Sequence, residues 1–506
     1  MFNSTKLLNN TLIQSGVFRY YCIKATKSKP TATTKWPLKN VTKMYGQPTS
    51  GTHPHLLKDG EVLPYIQQNE LQERRQKLIE NITYHTSKYN KDIKRHLIIV
   101  PSATKQYMSD KIPYVFRQST DFLYLSGCLE PDSCLVLATT ESPSQHCVTM
   151  FMRETDSHSE LWDGPRTSIE DAVGLFGVDQ ALPVSELGSY IKFYMKSNPQ
   201  SILWYDYITP VQKNIHKVMQ DFLNEKFNKL WESPNRFIHQ LRLIKSPAEI
   251  KLMQKSCDIA SDAIAKTIRF ARPGLSEHQI FANMEYECKM NGAEYLAYPP
   301  VVAGGNRANI IHYINNNQIV NDGEMVLMDA GCEYHGYSSD ITRTWPINGK
   351  FNQQQIAIYE ALLDVQADLI KMCCDFPSLD YLFETMCTLL GKQLQNIGLI
   401  PKTVSSASLI KMAYQFCPHH VSHYLGMDVH DTSTISRSIK IEPGMIITVE
   451  PGVYVTYNHR VPKEFQGMGV RIEDDVLITE NGPVVLTKNC PKSVEDIERL
   501  AKENQV

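Results

Sequence analysis

Apolar and polar positions alternate in short blocks through the first half of the chain. Apolar runs bounded by turn-forming residues predict strands at 96–101, 121–127, 133–139, 146–152 and 201–207. The polar stretch at 69–90 and SIEDAVGLFG (168–177) are typical of helices, and ELWDGPR (160–166) is typical of a turn. Strands interleaved with helices over 66–240 predict an α/β domain.

The pattern changes near Leu241, where long helical periods begin. Ser246-Pro247-Ala248-Glu249 combines an N-cap serine, a proline at the first helical position and a capping-box glutamate. Ser276 to Gln279 forms a second capping box. Further helices are predicted at 353–375 and 379–397, and strands at GMDVHD (426–431), MIITVEPGVYV (445–455) and GVRIEDDVLIT (469–479). Helices grouped around antiparallel strands indicate an α+β domain.

Three segments are therefore expected. Residues 1–55 form a leader and linker arm, 56–240 an N-terminal α/β domain, and 241–506 a C-terminal α+β catalytic domain. The stretch 30–65, rich in Pro, Gly, Thr and Lys, is predicted to be a linker or extended arm.

The segment MDAGCEYHGYSSDITRTWP (328–346) has the pattern of a hairpin. His335-Gly336 can supply the positive φ angles of a two-residue turn. That turn would place Asp329 opposite Thr342.

The same register puts Asp329 and Asp340 on one face of the hairpin, as diagonal neighbours about 7–8 Å apart. Two carboxylates on an apolar inner face are costly unless something neutralises them, and a metal ion would do so. A one-residue slip of the turn would separate the pair across the sheet.

Charge is distributed unevenly along the 506 residues. Nine of the 52 Lys and Arg residues and none of the 54 acidic residues precede Asp59, which leaves 43 basic against 54 acidic residues in the rest of the chain. An acidic body makes nucleic acid an unsuitable partner. The twelve cysteines contain no CxxC pair, so reduced thiols are expected rather than a zinc ribbon or a disulfide framework.

The acid-free start, with LLNNTLIQSGVFRYY, is typical of a mitochondrial targeting segment. Arg19-Tyr20-Tyr21 is similar to a presequence cleavage site. The alternative is a basic N-terminus of a cytosolic protein. No apolar run of about 18 residues is present, so no membrane partner is expected.

Three further acceptors accompany the two aspartates: His423, Glu450 and Glu473, each beside or within an apolar stretch. Four carboxylates and one imidazole suit Mn²⁺, Co²⁺, Zn²⁺ or Fe²⁺. Because four carboxylates exceed the charge of one ion, two ions about 3.5–4 Å apart are predicted. Taken singly, each acid has a structural alternative, such as a turn cap or a strand terminus.

These motifs resemble those of the aminopeptidase P family, whose catalytic domain has the pita-bread (creatinase/aminopeptidase-like) fold. The resemblance is carried by the hairpin segment, HHVSHYLGMDVHD, TVEPGVY and GVRIEDD, and upstream by RQSTDFLYLSGCLEPDS (117–133), ELWDGPR and GQPTSGTHPHLLKDGEV (46–62). The five acceptors match the family's ligand pattern without substitution.

The resemblance implies a role for each residue. Asp329 would chelate one metal, Asp340 and Glu473 would bridge both, and His423 and Glu450 would hold the other. His430 would polarise the scissile carbonyl, and Glu450 would also shuttle the proton. The remaining predicted contacts are His312 and His419 to the substrate, and Tyr454 and Arg471 around the ligands. His419 and His423 lack the HExxH glutamate, so a loop and a strand are expected there rather than a zinc helix.

The activity implied is that of an Xaa-Pro aminopeptidase, in which a metal-bridging hydroxide cleaves the bond before a proline at position two. Two divalent ions are expected, manganese before cobalt or zinc, together with peptide or protein N-termini as substrates and a homodimeric state. The alternatives are a mitochondrial intermediate-cleaving aminopeptidase without a strict proline requirement, an Xaa-Pro dipeptidase, and a non-enzymatic pita-bread binding protein. A methionine aminopeptidase would lack the upstream α/β domain.

Overall fold

The computed structural model describes residues 43–140, 145–224, 230–458 and 460–503. The predicted targeting segment lies almost wholly outside the described residues. No helix within these ranges is long and apolar enough to cross a bilayer. The chain divides into two compact units, Met1–Leu241 and Arg242–Val506.

The described strands of the first unit are β1 (Glu61–Leu63), β2 (Ile66–Gln67), β3 (Arg95–Pro101), β4 (Tyr107–Ser109), β5 (Ile112–Pro113), β6 (Cys134–Thr139), β7 (His146–Met152), β8 (Gln180–Pro183), β9 (Ser201–Trp204) and β10 (Trp231–Glu232). Six of them form a mixed sheet of order β10-β9-β3-β6-β7-β8. Its helices are α1 (Gln68–Tyr89), α2 (Thr120–Ser126), α3 (Ser157–Asp163), α4 (Ile169–Phe176), α5 (Leu187–Ser197) and α6 (Lys213–Asn224); α7 (Asn235–Leu243) ends just past the division. The α/β class is confirmed.

Two predictions within the first unit are wrong. DFLYLSG is not a strand but the helix α2, which Gly127 ends with a φ of +66°. Phe122 to Ser126 are all buried, so the run has no alternation to separate a strand from a short helix. The ELWDGPR turn is helical as far as Asp163 because Asp156 caps α3 through the backbone N–H groups of His158 and Ser159.

The predicted linker arm is also packed where it is described. Gln47 and Thr49 are buried, and the Gln47 side chain bonds Gly127 O at 3.1 Å and Leu129 N at 2.8 Å. This part of the arm therefore belongs to the folded unit, because its polar side chains satisfy backbone groups of the neighbouring turn.

The described strands of the second unit are β11 (Tyr295–Leu296), β12 (Val301–Gly304), β13 (Met325–Asp329), β14 (Cys332–Tyr334), β15 (Tyr337–Ser338), β16 (Thr342–Pro346), β17 (Ile446–Val449), β18 (Gly452–Val455), β19 (Met468–Arg471), β20 (Asp474–Thr479) and β21 (Gly482–Val485). They form four small antiparallel sheets, β11-β14-β15, β12-β13-β16, β17-β20-β21 and β18-β19. Its helices are α8 (Pro247–Phe270), α9 (Glu277–Met290), α10 (Gln353–Met372), α11 (Leu379–Asn396), α12 (Ser406–Phe416) and α13 (Val494–Lys502).

Both predicted capping boxes are present and fix where the helices begin. The Ser246 hydroxyl accepts from Glu249 N while the Glu249 carboxylate accepts from Ser246 N, and Ser276 and Gln279 repeat the arrangement. One hydrophobic core runs from α8 through α10 and α11 to the strands of this unit. The α+β class is confirmed.

Residues 426–431 do not form the predicted strand. They make successive bends without a ladder partner, and the side chain of Asp431 takes part in their anchoring instead of backbone pairs. The segments 445–455 and 469–479 each contain two strands rather than one, since the chain leaves its first sheet at Glu450-Pro451 and at Ile472-Glu473. These interruptions carry the acidic residues of the predicted site.

Candidate metal centre

The central hairpin has the predicted register. Tyr334 pairs with Tyr337, and Asp329 pairs with Thr342. His335 and Gly336 take φ angles of +49° and +83°. The turn prediction is therefore confirmed, and Asp329 and Asp340 lie on the expected face.

The hairpin passes from one sheet into another at Gly331. Ala330 N bonds Ile341 O and Ser339 N bonds Cys332 O, both at 3.0 Å, so the register continues across the transfer. A Cβ at Gly331 would overlap the carbonyl oxygen of Ser339. Glycine at this position is what permits the two strands to approach so closely.

A tyrosine hydroxyl joins the two aspartates. The Tyr298 Oη lies 2.6 Å from Asp329 Oδ1 and 2.5 Å from Asp340 Oδ1, so its one proton can be donated to either carboxylate. A single atom thus reaches both carboxylates, as the shared face of the hairpin requires. Burial and the two neighbouring aspartates raise the pKa of Tyr298 well above its usual range, so the hydroxyl remains a donor.

Asp340, His423 and Glu473 form a buried cluster whose ligand atoms all lie within 4.8 Å of one another. The His423 Nε2 is 3.3 Å from Asp340 Oδ2 and 3.6 Å from Glu450 Oε1. Three elements distant in sequence therefore bring their donors together: the hairpin, the loop before β17 and the link between β19 and β20.

The imidazole of His423 is oriented by the backbone. Its Nδ1 lies 3.1 Å from the carbonyl of Tyr424, which leaves Nε2 directed at the carboxylates. Thr448 supports the loop, since its hydroxyl accepts from His423 N at 3.1 Å. A second-sphere carbonyl that fixes the tautomer is the usual support of a metal-binding histidine. His423 lies on a loop rather than a strand.

Arg471 links the cluster to its surroundings. Its Nη2 donates to Asp329 Oδ2 at 2.6 Å, and its Nη1 donates to Tyr454 Oη at 2.7 Å. The Tyr454 hydroxyl in turn lies 2.9 Å from His419 Nε2. This series of hydrogen bonds connects His419, predicted to contact the substrate, with Asp329, a predicted metal ligand.

Glu473 is held by Thr342, the first residue of β16. The Thr342 hydroxyl donates to Glu473 Oε2 at 2.7 Å, and Glu473 N donates to Thr342 O at 3.1 Å. Arg471 Nε in turn donates to the same hydroxyl at 3.0 Å. Thr342 therefore orients a carboxylate in addition to pairing in the sheet.

The electrostatics of the cluster show an excess of negative charge. Burial raises the pKa of Glu473 well above its usual range, and Asp340 and Glu450 raise it further. Burial likewise raises the pKa of Glu450 to about 7. Burial alone would lower the pKa of His423, but the adjacent Asp340 and Glu450 outweigh it and raise that pKa to about 9.

The three remaining predicted histidines surround this centre differently. His430 is exposed, and its ring centroid lies 4.5 Å from that of His423. His419 is half-buried, with Nδ1 3.8 Å from Glu450 Oε2, and burial, Arg471 and to a smaller degree His312 lower its pKa to about 4. His312 is exposed in the loop after β12.

Three features of the centre were not predicted from the sequence: the Tyr298 hydroxyl, the hydrogen bond that Thr342 donates to the Glu473 carboxylate, and Asp475. The Asp475 Oδ2 accepts from Asp340 N at 3.0 Å and from the Cys257 thiol at 3.2 Å. The only signal for Asp475 was the unusual pair of aspartates after Glu473 in an otherwise apolar strand. Tyr298 precedes Pro299-Pro300, where no periodicity marks it.

The donor set fits divalent ions. Carboxylate oxygens and one imidazole nitrogen converge, the imidazole directs its Nε2 at the carboxylates, and the buried carboxylates have too few cations to balance them. Hard and borderline divalent ions prefer these ligands. No thiol belongs to the convergent group found among the described residues.

Comparison with known proteins agrees with this site. The model of Metallopeptidase family M24 matches residues 251–480, and that of the Aminopeptidase P N-terminal domain matches residues 71–204. The chain is 44% identical over 474 residues to Xaa-Pro aminopeptidase 3 of Mus musculus, covering 92% of each chain. It is 38% identical over 455 residues to the mitochondrial Intermediate cleaving peptidase 55 of Arabidopsis thaliana, covering 90% of this chain and 87% of that one.

Solved structures show the same similarity. Zinc-substituted E. coli aminopeptidase P in complex with product superposes with a TM-score of 0.78 at 30% identity, covering 87% of this chain and 99% of that one. A pita-bread domain with a buried carboxylate and histidine cluster defines the chain as a metallopeptidase that uses divalent metal ions. Within that class, it belongs to the aminopeptidase P family.

Proposed function

We propose that this metalloaminopeptidase releases the N-terminal residue from peptides and proteins with proline at the second position. The observation that carries the proposal is the convergence of Asp340, His423 and Glu473 beside Asp329 and Glu450. Supporting it, the relative in Mus musculus is named an Xaa-Pro aminopeptidase, and the E. coli structure is an aminopeptidase P.

The five convergent acceptors would hold two divalent ions: Asp329, Asp340, His423, Glu450 and Glu473. When bound, the ions would polarise the scissile carbonyl and lower the pKa of the attacking water. The predominance of carboxylate oxygens over nitrogen favours manganese, with cobalt or zinc as alternatives. Arg471 and Thr342 keep Asp329 and Glu473 in place for this purpose.

The surrounding side chains would act on the substrate. His430 is exposed beside His423, so its imidazole can donate to the carbonyl oxygen as negative charge develops there. Glu450 would carry the proton from the attacking water to the leaving proline nitrogen. His419 and His312 would contact the substrate near the leaving group and the proline ring.

The proline requirement has a chemical reason. The bond before proline is a tertiary amide without an N–H group, so peptidases that bind that proton cannot use such substrates. A site that polarises the carbonyl and protonates the leaving nitrogen does not need that donor. The hydrogen bonds that join His419 to Tyr454 and Tyr454 to Arg471 would orient His419 toward the ring.

Hydrolysis by metal-depleted protein re-supplied with Mn²⁺, Co²⁺ or Zn²⁺ tests this proposal. We expect restored activity, greatest with Mn²⁺, on Xaa-Pro-Yaa tripeptides and little on Xaa-Ala-Yaa controls. Equal turnover of both peptides would favour intermediate-cleaving activity without a proline requirement. Turnover of Xaa-Pro dipeptides alone would instead indicate a dipeptidase, and no turnover with any ion would contradict the enzyme model.

A mitochondrial location is the second part of the proposal. The acid-free N-terminal segment has the composition of a targeting signal, and the Arabidopsis relative is named as mitochondrial. We expect residues 1–60 fused to a fluorescent reporter to direct it to mitochondria. A diffuse cytosolic signal would contradict this location.

The proposed homodimer rests on resemblance to the family. Light scattering coupled to gel filtration should give twice the chain mass of 57.7 kDa, or somewhat less where the leader has been removed. A monomer mass at micromolar concentration would contradict the proposal without affecting the proposed chemistry.

A further inference from the structure

The loop that carries His430, here the His430 loop (residues 426–431), is held by buried charge rather than by strand pairing. His430 itself is exposed, but the next residue, Asp431, is buried with 4% of its surface accessible. The loop therefore presents one side chain outward and anchors the adjacent one inward.

Two cations form ion pairs with the Asp431 carboxylate, one with each oxygen. Arg242 Nη2 donates to Asp431 Oδ1 at 2.5 Å, and Lys245 Nζ donates to Asp431 Oδ2 at 3.2 Å. Arg242 and Lys245 are themselves buried; Arg242 lies in the last turn of α7, and Lys245 lies directly before the capping box of α8. A carboxylate bonded at both oxygens has little rotational freedom.

The backbone of the loop is fixed around the same group. Asp431 N donates to Tyr424 O at 2.9 Å, and its Oδ1 accepts from Asp428 N at 3.4 Å. A Cβ at Gly426 would collide with Asp431 Oδ2 and press on Lys245, so the loop folds tightly over the ion pairs.

The residue after the anchor is strained. Thr432 has a φ of +49°, a conformation that β-branched residues rarely adopt. Such strain persists only where the surrounding structure over-determines the backbone. Asp431 stands between His430 and Thr432, and the bonds of its carboxylate and its N–H fix the backbone at this point.

We propose that Asp431 is a positioning residue for the reaction, and that its ion pairs with Arg242 and Lys245 set the location of the His430 imidazole beside the metal ligands. This inference rests on the role given to His430 in the proposed function. Since hydrogen bonds to developing charge depend steeply on donor position, a displacement of about 1 Å at His430 is sufficient to lower kcat by about 10²-fold.

A double-mutant cycle tests the proposal with the full chain loaded with Mn²⁺. We expect Asp431→Asn to lower kcat on an Xaa-Pro-Yaa peptide by about 10- to 100-fold with KM changed less than threefold. In the His430→Ala background the same substitution should change kcat by less than twofold, because the group that it positions is gone. Metal content, measured by mass spectrometry, should stay unchanged in all three variants.

A matched control separates positioning from general destabilisation. Glu498 is a buried carboxylate paired with Lys350 at 2.6 Å and bonded to Phe351 N in the same unit, and its bonds found among the described residues do not include the His430 loop. Glu498→Gln should lower the melting temperature while leaving kcat within twofold. An equal kcat loss from Glu498→Gln would overturn the proposal.

If Asp431→Asn does not give folded protein, the cycle is repeated with Lys245→Gln, which removes one partner and leaves the Arg242 pair. A loss of kcat by either variant that persists undiminished in the His430→Ala background overturns the positioning role. So does a loss of bound metal equal to the loss of activity. Failure of His430→Ala itself to lower kcat would instead contradict the role given to His430 in the proposed function.

Discussion

Glu473 and Asp474 are neighbours in the chain, and both side chains are buried, yet their surroundings are opposite in charge. Asp474 lies between Arg343 Nη2 at 2.7 Å and Lys492 Nζ at 2.5 Å. Glu473 accepts from the Thr342 hydroxyl, and the acids around it, Asp340 and Glu450 first, outweigh the nearby guanidinium of Arg471.

The two pKa values reflect this difference. Burial raises the pKa of Asp474, but Arg343 and Lys492 outweigh it and lower that pKa to about 2. Burial raises the pKa of Glu473, and the nearby acids Asp340 and Glu450 add to the effect. A buried carboxylate with its own cations is a structural ion pair. A buried carboxylate among other carboxylates marks a place where charge must come from outside the chain.

The largest effect that this comparison predicts is on activity at Glu473. Glu473→Ala or Asp340→Ala should abolish both bound metal and peptide hydrolysis, a loss beyond the roughly 10²–10³-fold cost of one transition-state hydrogen bond. Metal content by mass spectrometry and kcat/KM would be measured together. Full turnover by either variant would contradict the two-ion site.

Asp474 should respond in free energy of unfolding rather than in chemistry. Asp474→Asn leaves the buried Arg343 and the half-buried Lys492 without their carboxylate, and we expect a loss of about 3–5 kcal/mol in the free energy of unfolding. Urea denaturation of the metal-free protein measures it. In the same assay Glu473→Gln should be neutral or stabilising because it removes like-charge repulsion. An equal loss of free energy from both variants would contradict the distinction between a structural ion pair at Asp474 and unbalanced charge at Glu473.

His430 lies beside the carboxylate cluster, so its substitution should affect catalysis without affecting metal binding. His430→Ala should lower kcat by about 10²–10³-fold while the metal content stays at the wild-type level, since the side chain donates to substrate only. Steady-state kinetics and metal analysis check both parts. Loss of an ion in this variant would make His430 a ligand.

The smallest expected effect is the dependence of stability on pH. Since the folded-state pKa values of Glu473 and Glu450 lie above the ordinary 4.5, these groups oppose folding increasingly as pH rises from about 4.5 through about 7. Melting temperatures in chelator should therefore fall over that interval, and Mn²⁺ should remove the trend. A flat profile in chelator would contradict the charge excess.

Asp474 should act at lower pH with the opposite sign. Its folded-state pKa of about 2 lies below the ordinary 3.8, so its stabilisation is complete above about 4 and is lost as pH falls toward 2. Melting curves of wild type and Asp474→Asn should converge in that acidic range. Curves that stay equally far apart at pH 2 would contradict the ion-pair assignment.

The sequence was most informative where local chemistry determines geometry. His335-Gly336 predicts a two-residue turn, and that turn alone fixes the register that puts Asp329 and Asp340 together. The capping boxes at Ser246 and Ser276 likewise predict where two helices begin. In each case the interacting groups are within a few residues of one another.

Predictions were wrong where the pattern lacked a period or the partner was remote. Phe122 to Ser126 are uniformly buried, so their helix has no polar face to show. The GMDVHD segment is organised by Arg242 and Lys245, nearly 190 residues earlier, rather than by its own alternation.

Side-chain contacts within the centre could not be predicted from the sequence either, because the partners are far apart in the chain. Tyr298 reaches Asp329 across 31 positions and Asp340 across 42, and nothing in its neighbours indicates an inward hydroxyl. The family resemblance predicted acceptors by motif, and donors that belong to no such motif escaped it.

Gly331 has a consequence for how this chain tolerates mutation. Glycine has no side chain that could bind a metal, but any side chain at this position would strike Ser339 at the transfer between sheets. Substitutions at Gly331 would therefore displace the strands that carry Asp329 and Asp340 while retaining every predicted catalytic group. A survey of variants that inspected only the acidic residues and histidines would miss them.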